Sequence, residues 1–304
     1  MPAQPGQITI PERLADAVRA EQGEAAPALL AELPGRFAEH LGRWGLVLER
    51  IAEPGGRSSL IGYVHREDDL APAVLKASPA GSDQEHVALR QWAGRGAVLL
   101  LDADPAAGML LLERLHGDIP LRSLAEAKAM LEAAGLLQRL WVEPGAGHPF
   151  TPLADRVAER AELLRARRDL APEAAPLIDE ALETAGALLV GATEQYLLHG
   201  DFHHGKVLAA DRSPWLAVSP RPLVGERAYD LARLVRDRLD TLAGSPGPRG
   251  AARRRITQLA DAVDLDPDRV RGWALFRGAD AGLAALAAGD RATAELCLEF
   301  TGWL

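Results

Sequence analysis

Between residues 11 and 44 apolar positions recur every three to four residues, at Leu14, Val18, Leu29, Leu30, Leu33, Phe37 and Leu41, which is the spacing of a helix with one buried face. From 46 to 75 the pattern shortens to strand-sized pieces, LVLERIA, SSLIGYV and APAVLK. Pro54-Gly55-Gly56 and the charged run 66–69 supply the turns between them. Residues 82–94 return to a helical period, with Ser82 as N-cap and Glu85 three places on as its capping-box partner. Two short apolar runs follow, GAVLLLDAD and GMLLLERL. The pattern predicts a small sheet with one helix against it.

Helical periodicity dominates the remainder, over 121–143, 153–168 and 174–193, with breakers at Pro120, Pro144, Pro172 and Pro176. Residues 195–220 interrupt it with two short apolar strands around a polar loop. Helices resume over 226–240, 250–263 and 267–302, and the Pro/Gly-rich stretch 243–250 reads as a loop. No fixed-period repeat is present. The expected class is α+β, with a sheet-containing part over 1–115 and a helical part over 116–304 that carries the irregular segment 198–220.

Composition narrows the function. The chain has 304 residues, 48% hydrophobic and 25% charged, which excludes a disordered or fibrous polymer. No apolar run approaches the roughly 18–20 residues needed to cross a bilayer, so no membrane partner is expected. The opening residues lack the basic start and apolar stretch of a secretory signal. A single cysteine, Cys297, excludes an intramolecular disulfide framework and fits a reducing compartment, so a cytoplasmic location is expected. The net charge of −9 argues against nucleic acid as the main partner and is compatible with a cationic small molecule. Nothing in the residue types fixes the oligomeric state. Only 3 lysines accompany 31 arginines, and asparagine is absent. Both scarcities matter, because Lys and Asn are common parts of phosphate and metal sites.

The strongest local signal is LHGDFHHGKVL, residues 198–208. A carboxylate on a tight loop between two apolar strands can be held rigidly and aimed at a substrate, as a general base must be. The same Asp201 can also simply close the turn. His203, His204 and Lys206 flank it and join the candidates for chemistry. The three histidines 199, 203 and 204 do not have zinc-motif spacing, and no metal site is expected from them. Ser219 lacks the Gly-x-Ser-x-Gly setting of a hydrolase nucleophile. The six tryptophans are scattered and read as core or interlobe residues.

HGDFHHGKVL followed by WLAVSPRPLVGERAYDLA resembles the catalytic loop and metal-binding segment of the aminoglycoside phosphotransferases, most closely the streptomycin 6-kinase and hydroxyurea phosphotransferase branch. Further segments of that branch recur in order: ERLADAVRAEQGEAAPALLAELP and FAEHLGRWGL in the leading helices, AVLKASP in the lysine strand, QEHVALRQW in the glutamate helix, and GAVLLLDADPAAGMLLLERL at the hinge. The resemblance covers nearly the whole chain and implies the bilobal protein-kinase-like fold. It implies that Lys76 contacts the ATP phosphates, that Glu85 pairs with Lys76, that Asp201 accepts the proton of the acceptor hydroxyl, and that Asp230 supports the loop.

Two positions depart from the family pattern. Where the family has a metal-binding Asn, five residues after the catalytic Asp, this chain has Lys206. Where it has the Asp of an isoleucine-aspartate-proline run, this chain has Ser219. The exchange changes the local charge by +2, which equals the charge of the ion those residues would hold. A Mg²⁺ about 4 Å from Lys206 would be repelled by about 8 kcal/mol at an effective dielectric near 20. An ammonium also supplies none of the oxygen ligands that Mg²⁺ requires. Together with Lys76, Lys206 and Ser219 are therefore expected to form a nucleotide or anion site without metal, which leaves ATP binding without Mg²⁺ open.

Three readings follow. One is a kinase-fold protein that has lost Mg²⁺-ATP phosphotransfer and uses its cleft for small-molecule binding or another reaction at Asp201, in antibiotic metabolism. Another is an active small-molecule phosphotransferase with an unusual metal arrangement, for instance through Glu226. The third is a non-catalytic scaffold. If Asp201 is a base open to its ligand, Asp201→Asn should leave the melting temperature nearly unchanged.

Overall fold

The computed structural model describes residues 8–79 and 84–304, and the chain divides into two compact units. The first spans 1–116 with a short return at 210–212, and the second holds 117–209 and 213–304.

In the first unit the expected helical stretch 11–44 is two helices, α1 (Glu12–Gln22) and α2 (Ala26–Arg43). Gly23, at φ 52°, turns the chain between them, a conformation cheap only for glycine. Five antiparallel strands follow: β1 (Leu46–Ile51), β2 (Leu60–Arg66), β3 (Pro72–Ala77), β4 (Leu100–Asp104) and β5 (Met109–Glu113). Their order is β1-β2-β3-β5-β4. Leu14, Val18, Leu33, Phe37 and Leu41 of the helices pack with Leu60, Val64, Leu75 and Met109 of the sheet into one core. The helical and strand periods therefore converge on the same apolar layer.

The helix expected over 82–94 is α3, Glu85–Trp92. Ser82, the expected cap, lies outside the described residues. At the other end Ala93 and Gly94 both have positive φ and stop the helix early.

The second unit opens with β6 (His116–Pro120), an extended segment that the apolar pattern did not indicate because its residues are exposed or half-buried. α4 runs only from Glu126 to Leu140, shorter than the expected 121–143, because 121–123 form a 3₁₀ turn and Val142 bridges to Leu197. Next come β7 (Thr151–Pro152), α5 (Leu153–Arg167) and α6 (Ala175–Val190). The polar segment carries β8 (Tyr196–Leu198), β9 (Val207–Ala209), β10 (Trp215–Ala217) and β11 (Leu223–Gly225). β8 and β9, on either side of the polar loop, belong to different sheets: β9 pairs with β10, and β8 pairs with β11. The loop therefore bridges two small sheets, each supplying one fixed end.

The expected helix 226–240 is broken into α7 (Ala228–Val235) and α8 (Leu239–Ala243). Arg238 sits in the left-handed region at φ 52°, and Arg255 Nη1 binds the freed carbonyls of Val235 and Asp237 at 2.9 and 2.7 Å. Those carbonyls no longer have helical partners, so a buried arginine satisfies them. α9 starts at Pro248, inside the stretch expected to be loop, and ends at Ala262. The expected final helix 267–302 is α10 (Pro267–Ala287) and α11 (Arg291–Trp303), divided at Gly289. Asp290 caps α11 by accepting from the Thr293 N–H at 3.0 Å. Among the described residues no helix is long and apolar enough to cross a membrane.

Candidate functional site

In the first unit, β3 is the central strand, and Lys76 stands between Ile61 of β2 and Leu110 of β5. Its side chain is buried, and Nζ donates to both carboxylate oxygens of Glu85 at 2.7 and 2.6 Å. An ammonium taken out of water needs such a counter-charge. Glu85 supplies it from the first turn of α3, where the helix dipole favours a carboxylate.

In the second unit the loop after β8 is held from below. Asp230, on α7, is fully buried and accepts from the His199 N–H at 2.9 Å, the Gly200 N–H at 2.8 Å and the Trp141 indole N–H at 3.1 Å. Burial raises its pKa, and these three donors oppose the rise. Gly200 has φ +78°, and a Cβ there would fall 1.9 Å from the Arg221 carbonyl oxygen. Only glycine fits. His199 is also enclosed: burial holds its pKa down to about 3. Its Nδ1 accepts the Asp201 N–H at 3.3 Å, and the neutral ring's Nε2–H then donates to the Val218 carbonyl at 3.2 Å.

These contacts present Asp201 at the loop tip with its side chain 27% exposed. Oδ2 lies 4.0 Å from Lys206 Nζ, and Oδ1 lies 3.7 Å from Arg233 Nε. Lys206 Nζ also donates to the Ser219 carbonyl at 3.4 Å. Ser219 itself takes φ 52°, a left-handed conformation that Asn and Asp adopt more readily than other residues bearing a Cβ. Burial alone would raise the Asp201 pKa. Lys206, His203, Arg233 and Arg277 outweigh it and bring the value down to about 2. Asp201 is a carboxylate at neutral pH, and cations surround it.

The chain resembles known proteins over most of its length. Residues 43–289 match the family model described as aminoglycoside/hydroxyurea antibiotic resistance kinase. The chain belongs to that family. A streptomycin 6-kinase from Streptomyces glaucescens is 36% identical over 272 residues, covering 89% of this chain and 88% of the relative. A hydroxyurea phosphotransferase from Kitasatospora aureofaciens is 36% identical over 289 residues, covering 89% of this chain and 78% of that protein. Among solved structures, an amicoumacin kinase in complex with AMP-PNP and Ca²⁺ shares the fold with a TM-score of 0.62 and 12% identity, over 90% of this chain and 96% of its own. The kinase-like fold expected from the motifs is therefore the fold of this protein.

Within this member of the family, the other expected residues are placed differently. His203 is half-buried, and its Nδ1 accepts the Gly205 N–H at 3.2 Å. Burial, then Arg233, lowers its pKa to about 4, so the ring is neutral at pH 7. His204, expected among the catalytic candidates, is instead enclosed completely: Nδ1 lies 2.7 Å from Asp237 Oδ2, and the same oxygen accepts the His204 backbone N–H at 2.8 Å. It anchors the loop to the end of α7 and is out of reach of a ligand. Glu226, the expected substitute metal ligand, is buried and engaged by Arg269 through both oxygens and by the Trp273 indole N–H at 3.0 Å. Those contacts occupy three of its roughly four lone-pair sites. Among the described residues no three His, Cys, Asp or Glu side chains converge as a metal-binding group.

Sequence reasoning missed Arg233, Asp237 and Arg277. Arg277 Nη2 donates to the Gly200 carbonyl and Nη1 to the Tyr229 carbonyl, both at 3.1 Å, so α10 fixes the loop's back. One signal was available. Asp230 and Arg233 are three apart on a helix, so a residue that reaches the loop from one turn implies that the next does too. Arg277 had no comparable signal, since it lies on a distant helix. The second unit also holds a cavity of about 740 Å³ walled by Met130, Leu131, Leu242 and Leu259. Arg255 stands at its edge and ties it to Asp237.

Proposed function

We propose that this member of the kinase family keeps the loop carboxylate Asp201 as its ligand-facing group and has given up Mg²⁺-dependent ATP phosphotransfer. On this reading it binds a small molecule at Asp201, or acts on one there, in the metabolism of an antibiotic in the cytoplasm. The observation that carries the reading is the contact set of Lys206. One ammonium neutralises Asp201 and reaches the carbonyl of Ser219, at the two positions where the family's metal ligands are expected. Mg²⁺ does not fit that donor set, because an ammonium repels it and a lone hydroxyl replaces a carboxylate. Lys76, held by Glu85, remains suited to a nucleotide phosphate, so ATP binding without metal belongs to the same proposal.

A second reading, an active O-phosphotransferase, is favoured by one observation: the Lys76–Glu85 pair and the Asp230 clamp both have the geometry such an enzyme needs. Its proposed route through Glu226 is closed by Arg269 and Trp273. Calorimetric titration of ATP with and without MgCl₂ separates the two, together with an assay for phosphoryl transfer to streptomycin and hydroxyurea. The expected result is nucleotide binding that Mg²⁺ does not improve, and no transfer above background. Tight binding that requires Mg²⁺ sinks the first reading and installs the second.

A further inference from the structure

Asp201 is outnumbered. Arg233 faces one of its oxygens at 3.7 Å and Lys206 the other at 4.0 Å. Arg277 is tied to the carbonyl of the preceding Gly200 and stacks over the Tyr229 ring at 4.4 Å. Arg236, just past the end of α7, acts on Arg233 and reaches Sγ of Cys297 at 3.2 Å. Asp237 is the second carboxylate acting on this cluster, and His204 occupies it. Among the described residues four permanent cations thus meet three carboxylates, Asp230 beneath the loop being the third, and the neutral His203 adds nothing at pH 7.

A surplus of positive charge in a partly buried place is unfavourable unless something completes it. Arg233 is the group best placed to receive that partner. Its side chain is 21% exposed, and among the described residues it forms no hydrogen bond. Its planar fork therefore retains N–H donors for a ligand. The two sides of Asp201 also differ in kind. Lys206 spans from Oδ2 to the Ser219 carbonyl, whereas Arg233 stands at Oδ1 with α7 behind it. Only the Arg233 side offers the geometry that binds a carboxylate or phosphate through two parallel hydrogen bonds. The net charge of −9 thus misleads about this site, where cations face Asp201 from both sides.

We propose that the site at Asp201 recognises an acceptor carrying an oxyanion, a carboxylate or a phosphate, beside its hydroxyl, and that Arg233 is the residue that binds the oxyanion. This rests on the reading of Asp201 as the ligand-facing group. A polycationic ligand meets the same surplus as repulsion.

The test is calorimetric titration at low ionic strength, without nucleotide or metal, using four probes: D-glycerate, glycerol 3-phosphate, glycerol and streptomycin. One or both anions should bind at least about tenfold more tightly than glycerol and streptomycin, and the two anions reveal which oxyanion is preferred. Arg233→Gln should weaken the preferred anion by about tenfold, and Arg233→Lys by less, since it keeps the charge and loses the fork. Streptomycin binding as tightly as the anions overturns the proposal. So does anion binding that Arg233→Gln leaves unchanged, or no anion binding at all. If Arg233→Gln does not fold, Arg233→Lys decides, and full anion affinity in that variant overturns the proposal. The ATP titrations remain a separate measurement. Mg²⁺-dependent nucleotide binding would remove the metal-free reading and leave the anion preference standing, while lost anion preference with Mg²⁺-indifferent binding does the reverse.

Discussion

Replacing Lys206 by Asn removes a charge 4.0 Å from Asp201 and keeps a polar side chain of smaller size. Two unit charges at that distance interact by about 1 kcal/mol in water and about 4 kcal/mol at an effective dielectric of 20. Both side chains are about a quarter exposed, so the real value lies between these limits. Arg233 and Arg277 stay in place and retain part of the effect. The Asp201 pKa, about 2 in the parent, should therefore rise by roughly one to two units. Its folded-state value lies below the unfolded one, so the stabilisation is present at neutral pH and is lost as pH falls through about 2. Lys206→Asn should cost about 1–2 kcal/mol at pH 7, and the deficit should hold down to about pH 4 and shrink from there towards about pH 2. Once Asp201 is protonated, one fewer cation beside Arg233 is no disadvantage, and the order can even reverse. Urea denaturation of parent and variant across this range reads the deficit, and ¹³C NMR of the Asp201 carboxyl reads the pKa directly. A deficit that is the same at low and neutral pH, or an Asp201 titration that does not move, would refute the coupling.

Three further outcomes are expected. The double variant Lys206→Asn with Ser219→Asp should gain Mg²⁺-dependent ATP binding, since Asp tolerates the left-handed backbone at 219; calorimetry showing no metal effect would argue that the rest of the site has also diverged. Asp230→Ala leaves three buried N–H donors without an acceptor and should cost about 3–6 kcal/mol by chemical denaturation, with Asp230→Asn milder; a loss under about 1 kcal/mol would mean that the clamp does not hold the loop. Asp201→Asn should lower stability at pH 7 by up to about 2 kcal/mol, because Lys206, Arg233 and Arg277 then repel one another uncompensated; this replaces the expectation of an unchanged melting temperature, and a Tm equal to the parent's would show the cluster to be well solvated.

Much of this protein was written into local pattern. The leading helices and the strands between 46 and 75 were legible because periodicity carries them, and the pairing of Lys76 with Glu85 because the family resemblance implied it. The HGD loop, the Lys and Ser at 206 and 219, and the family itself were legible because they are questions of residue type. Helix ends were less so. Arg238 and Ala93 take left-handed conformations that their residue types do not announce, whereas Gly289 followed by Asp290 did mark a helix boundary.

What tertiary structure alone decided is the electrostatic character of the site. Arg233 and Arg277 come from helices 32 and 76 residues after Asp201 in the chain, yet both act on its carboxylate. His203 and His204 are neighbours in sequence, but one is half-buried and acts on Asp201 while the other is sealed against Asp237. Glu226 looks like a spare metal ligand until Arg269 is found on it. Residue type and spacing determine what a side chain can donate, accept or carry. Which charges share a low-dielectric volume depends on how distant helices pack, and at these distances that packing sets the sign of the local field.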